Sequence, residues 1–259
     1  MNSTKKQKIA VDGVEIAYYD SNPSATSAHT IVFLHGWGGS ADSFIELASL
    51  FGPESRKIII DFPGFGDSQD PPTPWDVHMY VECVVKYLAA LNIRHASFVV
   101  HSFGGRIVTV LASTYPQIVQ NIIYIAPAGI RHNRTIIAGI ALVLKSVMQL
   151  PLLRYLFPMV RKIGYRLIHD TDYEQSSGVM KETFQLVTQE DLQYLFPEIH
   201  CPVTIFWGAN DSYVPVSDTE VMKRYMPQAA VHVFADGRHG IHKTHAKEII
   251  THLNQEESL

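Results

Sequence analysis

The stretch Val100-His101-Ser102-Phe103-Gly104-Gly105 sets one serine between an apolar run and a segment whose first turn is rich in glycine. Upstream, Ala96-Ser97-Phe98-Val99-Val100 reads as a short buried strand, and downstream Arg106 to Ala112 continues as an apolar helix. Ser102 therefore falls on the turn between them. The pattern is nearly G-x-S-x-G, in which a sharp strand-to-helix corner exposes the serine hydroxyl at the sheet edge beside the helix N-terminus. Val100 stands where that pattern has glycine. A β-branched residue suits the close of a buried strand, so the expectation is a slightly displaced corner that still works.

Working outward, the same strand-then-helix rhythm recurs. A hairpin is expected from Lys8 to Val11 and Val14 to Tyr19 around Asp12-Gly13, a dipeptide that tolerates positive φ at a two-residue turn. Apolar runs at Thr30 to Leu34, Lys57 to Ile60, Ser97 to Val100, Ile122 to Ile125, Val203 to Trp207 and Val231 to Phe234 read as strands buried on both faces. Helical patterns cover Ala41 to Phe51, Trp75 to Leu91, Gly105 to Tyr115, Ser217 to Tyr225 and His245 to Leu253. Alternation of this kind predicts an α/β fold, a mostly parallel eight-stranded sheet with helices on both faces.

One interval breaks the rhythm. Between Ala126 and Cys201 there is no convincing buried strand, and residues 128–199 are expected to form an inserted helical cap on a core made of 1–127 and 200–259. From Arg131 to Ile168 this interval carries Arg131, Arg134, Lys145, Arg154, Arg161, Lys162 and Arg166 but no Asp or Glu. The plainer reading is an amphipathic lid with solvated charges over an apolar pocket. The sharper one is weak interfacial contact with an acidic substrate or an anionic membrane.

Composition excludes several classes of function. The chain has 259 residues, 46% hydrophobic and 18% charged, near the averages for globular proteins. A net charge of −4 offers no basic footprint for nucleic acid. Cys83 and Cys201 lack disulfide or metal spacing, and the N-terminal residues lack a signal-peptide apolar region, so a cytoplasmic location is expected. The most apolar stretch, Ile136 to Leu144, is too short to span a bilayer and ends at Lys145. Monomer and homodimer both remain open.

A serine is a poor nucleophile unless a base and an orienting acid reach it. Asp211, in Gly208-Ala209-Asn210-Asp211, follows a strand end, where open parallel sheets collect functional groups. His239, in Ala235-Asp236-Gly237-Arg238-His239-Gly240, is a histidine flanked by glycines in the loop after the last strand. Asp218 and Glu220 compete with Asp211 but suit the start of the next helix. His242 and His245 compete with His239. The three histidines also invite a metal reading, yet three-residue spacing on a helix turns each ring about 60° from the last. His35 and His101 read as structural residues, His35 as a hydrogen-bonder that fixes its loop, and Asp67 as a loop or cap residue.

The order Ser102, Asp211, His239, with Leu34-His35-Gly36-Trp37-Gly38-Gly39 and Asp61-Phe62-Pro63-Gly64-Phe65-Gly66-Asp67-Ser68, resembles the α/β-hydrolase fold serine hydrolases that carry a helical cap. His239 with His245-Ala246 resembles the end of the meta-cleavage-product hydrolase branch. The resemblance places the oxyanion-hole amides on Trp37 and Phe103 and implies Ser102 as nucleophile, His239 as base and Asp211 as acid, with no metal or organic cofactor. The implied substrate is a small-molecule acyl compound, small or medium and apolar, most simply a carboxylic ester. Carbon-carbon bond hydrolysis and lactone opening are alternatives within the family, as is a ligand-binding, receptor-like role with little turnover.

Overall fold

The computed structural model describes residues 5–23, 29–132 and 178–256. Most of the expected cap, 133–177, and with it the apolar stretch from Ile136 to Leu144, lies outside the described residues. Strands β1 (Gln7–Val11) and β2 (Val14–Asp20) form the hairpin, with Asp12 at φ 49° and Gly13 at φ 82°, both central residues of the turn on the left-handed side. That is the turn an Asp-Gly pair permits.

Strands β3 (Thr30–Leu34), β4 (Arg56–Ile60), β5 (Ala96–His101), β6 (Val119–Ile125), β7 (Val203–Gly208) and β8 (Ala230–Phe234) complete one eight-stranded sheet in the order β1-β2-β4-β3-β5-β6-β7-β8. β1 and β2 pair antiparallel, as do β2 and β4, and every other pairing is parallel. The chain leaves β3 outward to β4, then returns across it to β5. The carboxyl ends of β3 and β5 are consequently the topological switch point of the sheet, where open α/β sheets place their sites. Ser102 follows β5 directly.

Alternation along the strands builds a core on each face. Val32, Leu34, Ile58, Ile60, Phe98, Val100, Ile122, Tyr124, Ile205 and Trp207 meet α2 (Val77–Ala90) and α3 (Phe103–Thr114) on one side. Ile31, Phe33, Ile59, Val99, Ile123, Ile125 and Phe206 meet α1 (Ile45–Leu50) and the C-terminal helix on the other. Burial of both faces explains the unbroken apolar runs.

Some boundaries differ from expectation. The helix expected over 41–51 is a 3-10 turn, Ala41–Phe44, followed by α1. α2 begins after Asp76, whose carboxylate accepts from the Met79 amide at 2.8 Å and so caps the helix two residues late. Next come α4 (Gly178–Gln189), within the interval 128–199, and α5 (Asp218–Tyr225). The helix expected over 245–253 is α7 (Ala246–Gln255), and a short α6 (Ile241–Thr244) that the pattern did not mark precedes it, the two separated by His245 at φ −125° and ψ 28°. β8 is not buried on both faces. As the last strand it is half-exposed, and Val233 retains 48% of its surface. Among the described residues no helix is long and apolar enough to cross a membrane.

A buried ion pair fastens the junction of β2 and β4. Arg56 Nε donates to Asp20 Oδ1 at 3.2 Å and its Nη2 to Oδ2 at 2.7 Å, with both residues buried. Removing one partner strands a charge in the core, so Asp20→Ala is expected to cost about 3–5 kcal/mol. Chemical denaturation with urea would check it through a lowered midpoint.

Candidate active site

Ser102 is both the last residue before α3 and a backbone outlier, with φ 48° and ψ −108°. A non-glycine residue there costs on the order of 1–3 kcal/mol and persists only when its surroundings fix it. Four main-chain bonds do so. The Ser102 amide donates to Ile125 O at 3.3 Å, its carbonyl accepts from Gly105 and Ala128 amides, both at 2.9 Å, and the Gly104 amide donates to His35 O at 3.1 Å.

The glycines of the motif are needed after the serine. A Cβ on Gly104 would collide with the Leu34 carbonyl, and one on Gly105 would lie 2.6 Å from Pro127 Cβ. Val100 is different: its side chain is fully buried in the core and its pairings with Leu34 and Tyr124 run on unbroken. The displacement expected from valine does not register in the pairing.

Asp211 and His239 arrive on the loops after β7 and β8. A Cβ on Gly208 would collide with the Gly237 backbone, so two glycines let these loops touch main chain to main chain. The Asn210 amide also donates to Gly237 O at 2.9 Å. Closeness of the loops brings His239 Nδ1 within 2.8 Å of Asp211 Oδ2. The Asp211 carboxylate is fully buried, and its Oδ1 accepts from the amides of Tyr213 at 2.8 Å and Val214 at 3.1 Å. Its remaining lone pairs thus hold it in one orientation.

The competing residues lie elsewhere. His245 pairs with Asp236 at 3.1 Å, while His242 is buried against His101, ring centroids 4.0 Å apart, and Phe44. Burial pushes the His242 imidazole down to about 3, with Lys243 and His239 adding to the effect. Asp218 does open α5, but it is buried and meets His132 Nε2 at 3.0 Å. Burial raises its carboxyl above the ordinary value despite that histidine. The three histidines do not share one helix as the metal argument assumed, since His239 lies in the loop before α6 and His245 between α6 and α7. Among the described residues no cluster of His, Cys, Asp or Glu is placed to hold a metal.

His35 fixes the loop after β3. It is fully buried, its Nδ1 lies 2.7 Å from Gly36 O, and its Nε2 accepts from the Phe62 amide at 3.0 Å. The ring therefore carries its proton on Nδ1 and stays neutral, burial holding it down to about 4. Across that loop, Asp61 is buried and accepts from the amides of Ala41 at 2.6 Å and Asp67 at 2.9 Å, with Lys6 at 2.8 Å. Together they secure the two loops on either side of Trp37. The Phe103 amide, first of α3, has no acceptor within its helix.

An aromatic wall lines this side. Trp37 meets Phe65, Phe103 and Phe184 edge-on, with centroids 4.8, 5.3 and 5.0 Å away. Phe184 belongs to α4, which lies within the expected cap, and α4 is fastened at Thr183, whose hydroxyl accepts from the Trp75 amide at 3.0 Å. Neither Phe184 nor Tyr213, which stacks on the His239 ring at 4.9 Å, carries a motif that marks it in the sequence.

A family model described as the alpha/beta hydrolase fold matches residues 29–158, half of the chain. Among curated relatives, the pimeloyl-[acyl-carrier protein] methyl ester esterase of Chromobacterium violaceum is 24% identical, the match covering 86% of this chain and 92% of that one. Among solved structures, a bacterial membrane phospholipase A superposes with a TM-score of 0.74 at 22% identity, covering 98% of this chain and 87% of that one. The enol-lactonase of Burkholderia xenovorans gives 0.72 at 17% identity over 96% and 100%. These structural likenesses establish the fold. The chain belongs to the alpha/beta hydrolase fold family.

Two outcomes follow from the site's packing. Val100→Gly deletes a buried side chain and is expected to lower stability by about 2–4 kcal/mol, and Gly104→Ala, which presses on backbone, by about 1–3 kcal/mol; thermal unfolding measures both. The neutral histidines also predict acid lability. An unfolded histidine protonates near pH 6.5, whereas folded His35 resists until about 4 and His242 until about 3. The unfolded state binds more protons in that window, so stability is complete above about pH 6.5 and falls as pH drops toward 4. Each tenfold difference in proton affinity is worth about 1.4 kcal/mol. A melting temperature unchanged between pH 7 and 4.5 would contradict this.

Proposed function

We propose that this member of the alpha/beta hydrolase fold family is a cofactor-independent serine hydrolase acting on small or medium apolar acyl compounds, carboxylic esters foremost. The observation that carries the reading is the 2.8 Å contact of His239 Nδ1 with a buried, doubly hydrogen-bonded Asp211, on loops at the same sheet edge as the strained Ser102. Its acid and base are a pair before any substrate arrives.

In this mechanism Ser102 Oγ attacks the acyl carbonyl while His239 Nε2 takes its proton. Asp211 keeps the Nδ1–H tautomer and stabilises the imidazolium that forms. Amides of Trp37 and Phe103 receive the oxyanion, a contribution of about 10²- to 10³-fold per donor in comparable sites. His239 then protonates the leaving group and activates water, which hydrolyses the acyl-enzyme. The serine is regenerated.

Trp37, Phe65, Phe103 and Phe184 give the acyl group an apolar wall, which favours uncharged chains. Residues 128–199, which include α4, are proposed to complete that wall as a cap. The esterase named among the relatives acts on a methyl ester, which agrees with an ester bond as the target here.

A fluorophosphonate probe is expected to label the folded protein on Ser102, and Ser102→Ala is expected to abolish both labelling and p-nitrophenyl ester hydrolysis. Folded protein that neither labels nor turns over would favour a ligand-binding, receptor-like role instead. His239→Ala should be as damaging as Ser102→Ala, and Asp211→Asn should lower kcat by about 10³- to 10⁴-fold, because the three act as a unit. Retention of activity in His239→Ala with loss in His242→Ala would move the base to His242.

A further inference from the structure

One side chain outside the proposed triad touches the surroundings of all its working parts. His101 precedes Ser102 on β5, and it is buried with 8% of its surface left. Its Nε2 lies 2.9 Å from the main-chain carbonyl of His239. Its ring lies against the His239 imidazole, centroids 4.6 Å apart. Its Nδ1 would be only 2.7 Å from a Cβ on Gly36, so the loop that carries Trp37 rests directly on it.

From this geometry we propose that His101 is a positioning residue, a neutral imidazole that fixes the His239 loop against Ser102 and the oxyanion loop. The carbonyl of His239 can only accept, so His101 must carry its proton on Nε2. A second proton on Nδ1 would place a cation in the core beside His239 and His242. Burial, then those two histidines, holds the group well below its ordinary value, which keeps it in the form the contact requires. An apolar residue could fill the space but not hold the carbonyl. Gly36 follows from the same contact, since any side chain there would push the ring off its place.

The inference rests on Ser102 and His239 acting together as proposed above, and its test separates the two. His101→Leu keeps bulk and loses the donor; His101→Gln keeps an amide donor near the Nε2 position; His101→Asn places its amide too short to reach. With p-nitrophenyl acetate, His101→Leu and His101→Asn are expected to lose about 10- to 100-fold in kcat, with KM little changed and secondary structure intact. His101→Gln is expected to recover most of that loss. Proton NMR reads the same contact without turnover: the downfield His239 Nδ1 proton bonded to Asp211 should persist in the wild type and His101→Gln and broaden away in the other two.

Wild-type kcat in His101→Leu, or equal losses in all three variants, would overturn the proposal. If His101→Leu does not fold, the comparison of Gln with Asn decides. If the wild-type protein neither hydrolyses esters nor reacts with fluorophosphonate, the hydrolase reading fails, and the NMR comparison still decides whether His101 holds His239.

Discussion

The strained corner at Ser102 is the constraint on which the rest of the site depends. Its φ of 48° is unfavourable for serine, and it survives because Ile125 at the end of β6, Gly105 of α3 and Ala128 after β6 each bond its main chain, while the next turn is tied to His35 through the Gly104 amide. Those bonds need backbones closer together than side chains allow. Gly104 against the Leu34 carbonyl and Gly105 against Pro127 are therefore consequences of the corner rather than independent features. The usual glycine two residues earlier is dispensable here because Val100 points into the core, where its bulk is buried apolar surface.

Close backbone approach recurs where Asp211 meets His239. Gly208 and Gly237 let the loops after β7 and β8 touch, and the Asp211–His239 contact follows from that proximity. The sheet supplies the long-range order: with β3 between β4 and β5, the chain leaves β3 and β5 toward opposite faces, so their carboxyl ends form the topological switch point at which open α/β sheets place their sites. Polar groups buried below this edge are nearly all hydrogen-bonded, His35 to Gly36 and Phe62, and Asp61 to Ala41, Asp67 and Lys6. Such pairing is what makes burial of these groups tolerable.

Asp218 and His242 are instructive beside Asp211 and His239. Each is the right residue type near the right place in the chain, and each is buried where it cannot meet the partner the proposed mechanism needs. Burial raises the Asp218 carboxyl and lowers the His242 imidazole, so both are pushed toward their neutral forms. Asp211 instead has two amides and an imidazole around it. Residue type and spacing alone do not separate these cases; solvation and partners do.

The alternation of apolar runs and helical patterns was enough, read from the residues alone, to establish a mostly parallel sheet with helices on both faces. The Ser102 turn, the Asp12-Gly13 hairpin and the candidate trio of Ser102, Asp211 and His239 were legible as well, because local backbone preferences and strand ends leave marks in short stretches of residues. Other features were not legible. That β8 lies half-exposed at an edge, that Phe184 meets Trp37 from some 150 positions away in the chain, that His242 is buried against His101, and that the His101 ring lies against His239 were decided only by tertiary structure. These are contacts between segments distant in sequence, set by which strands are neighbours and how closely their loops can approach, and no local pattern encodes them.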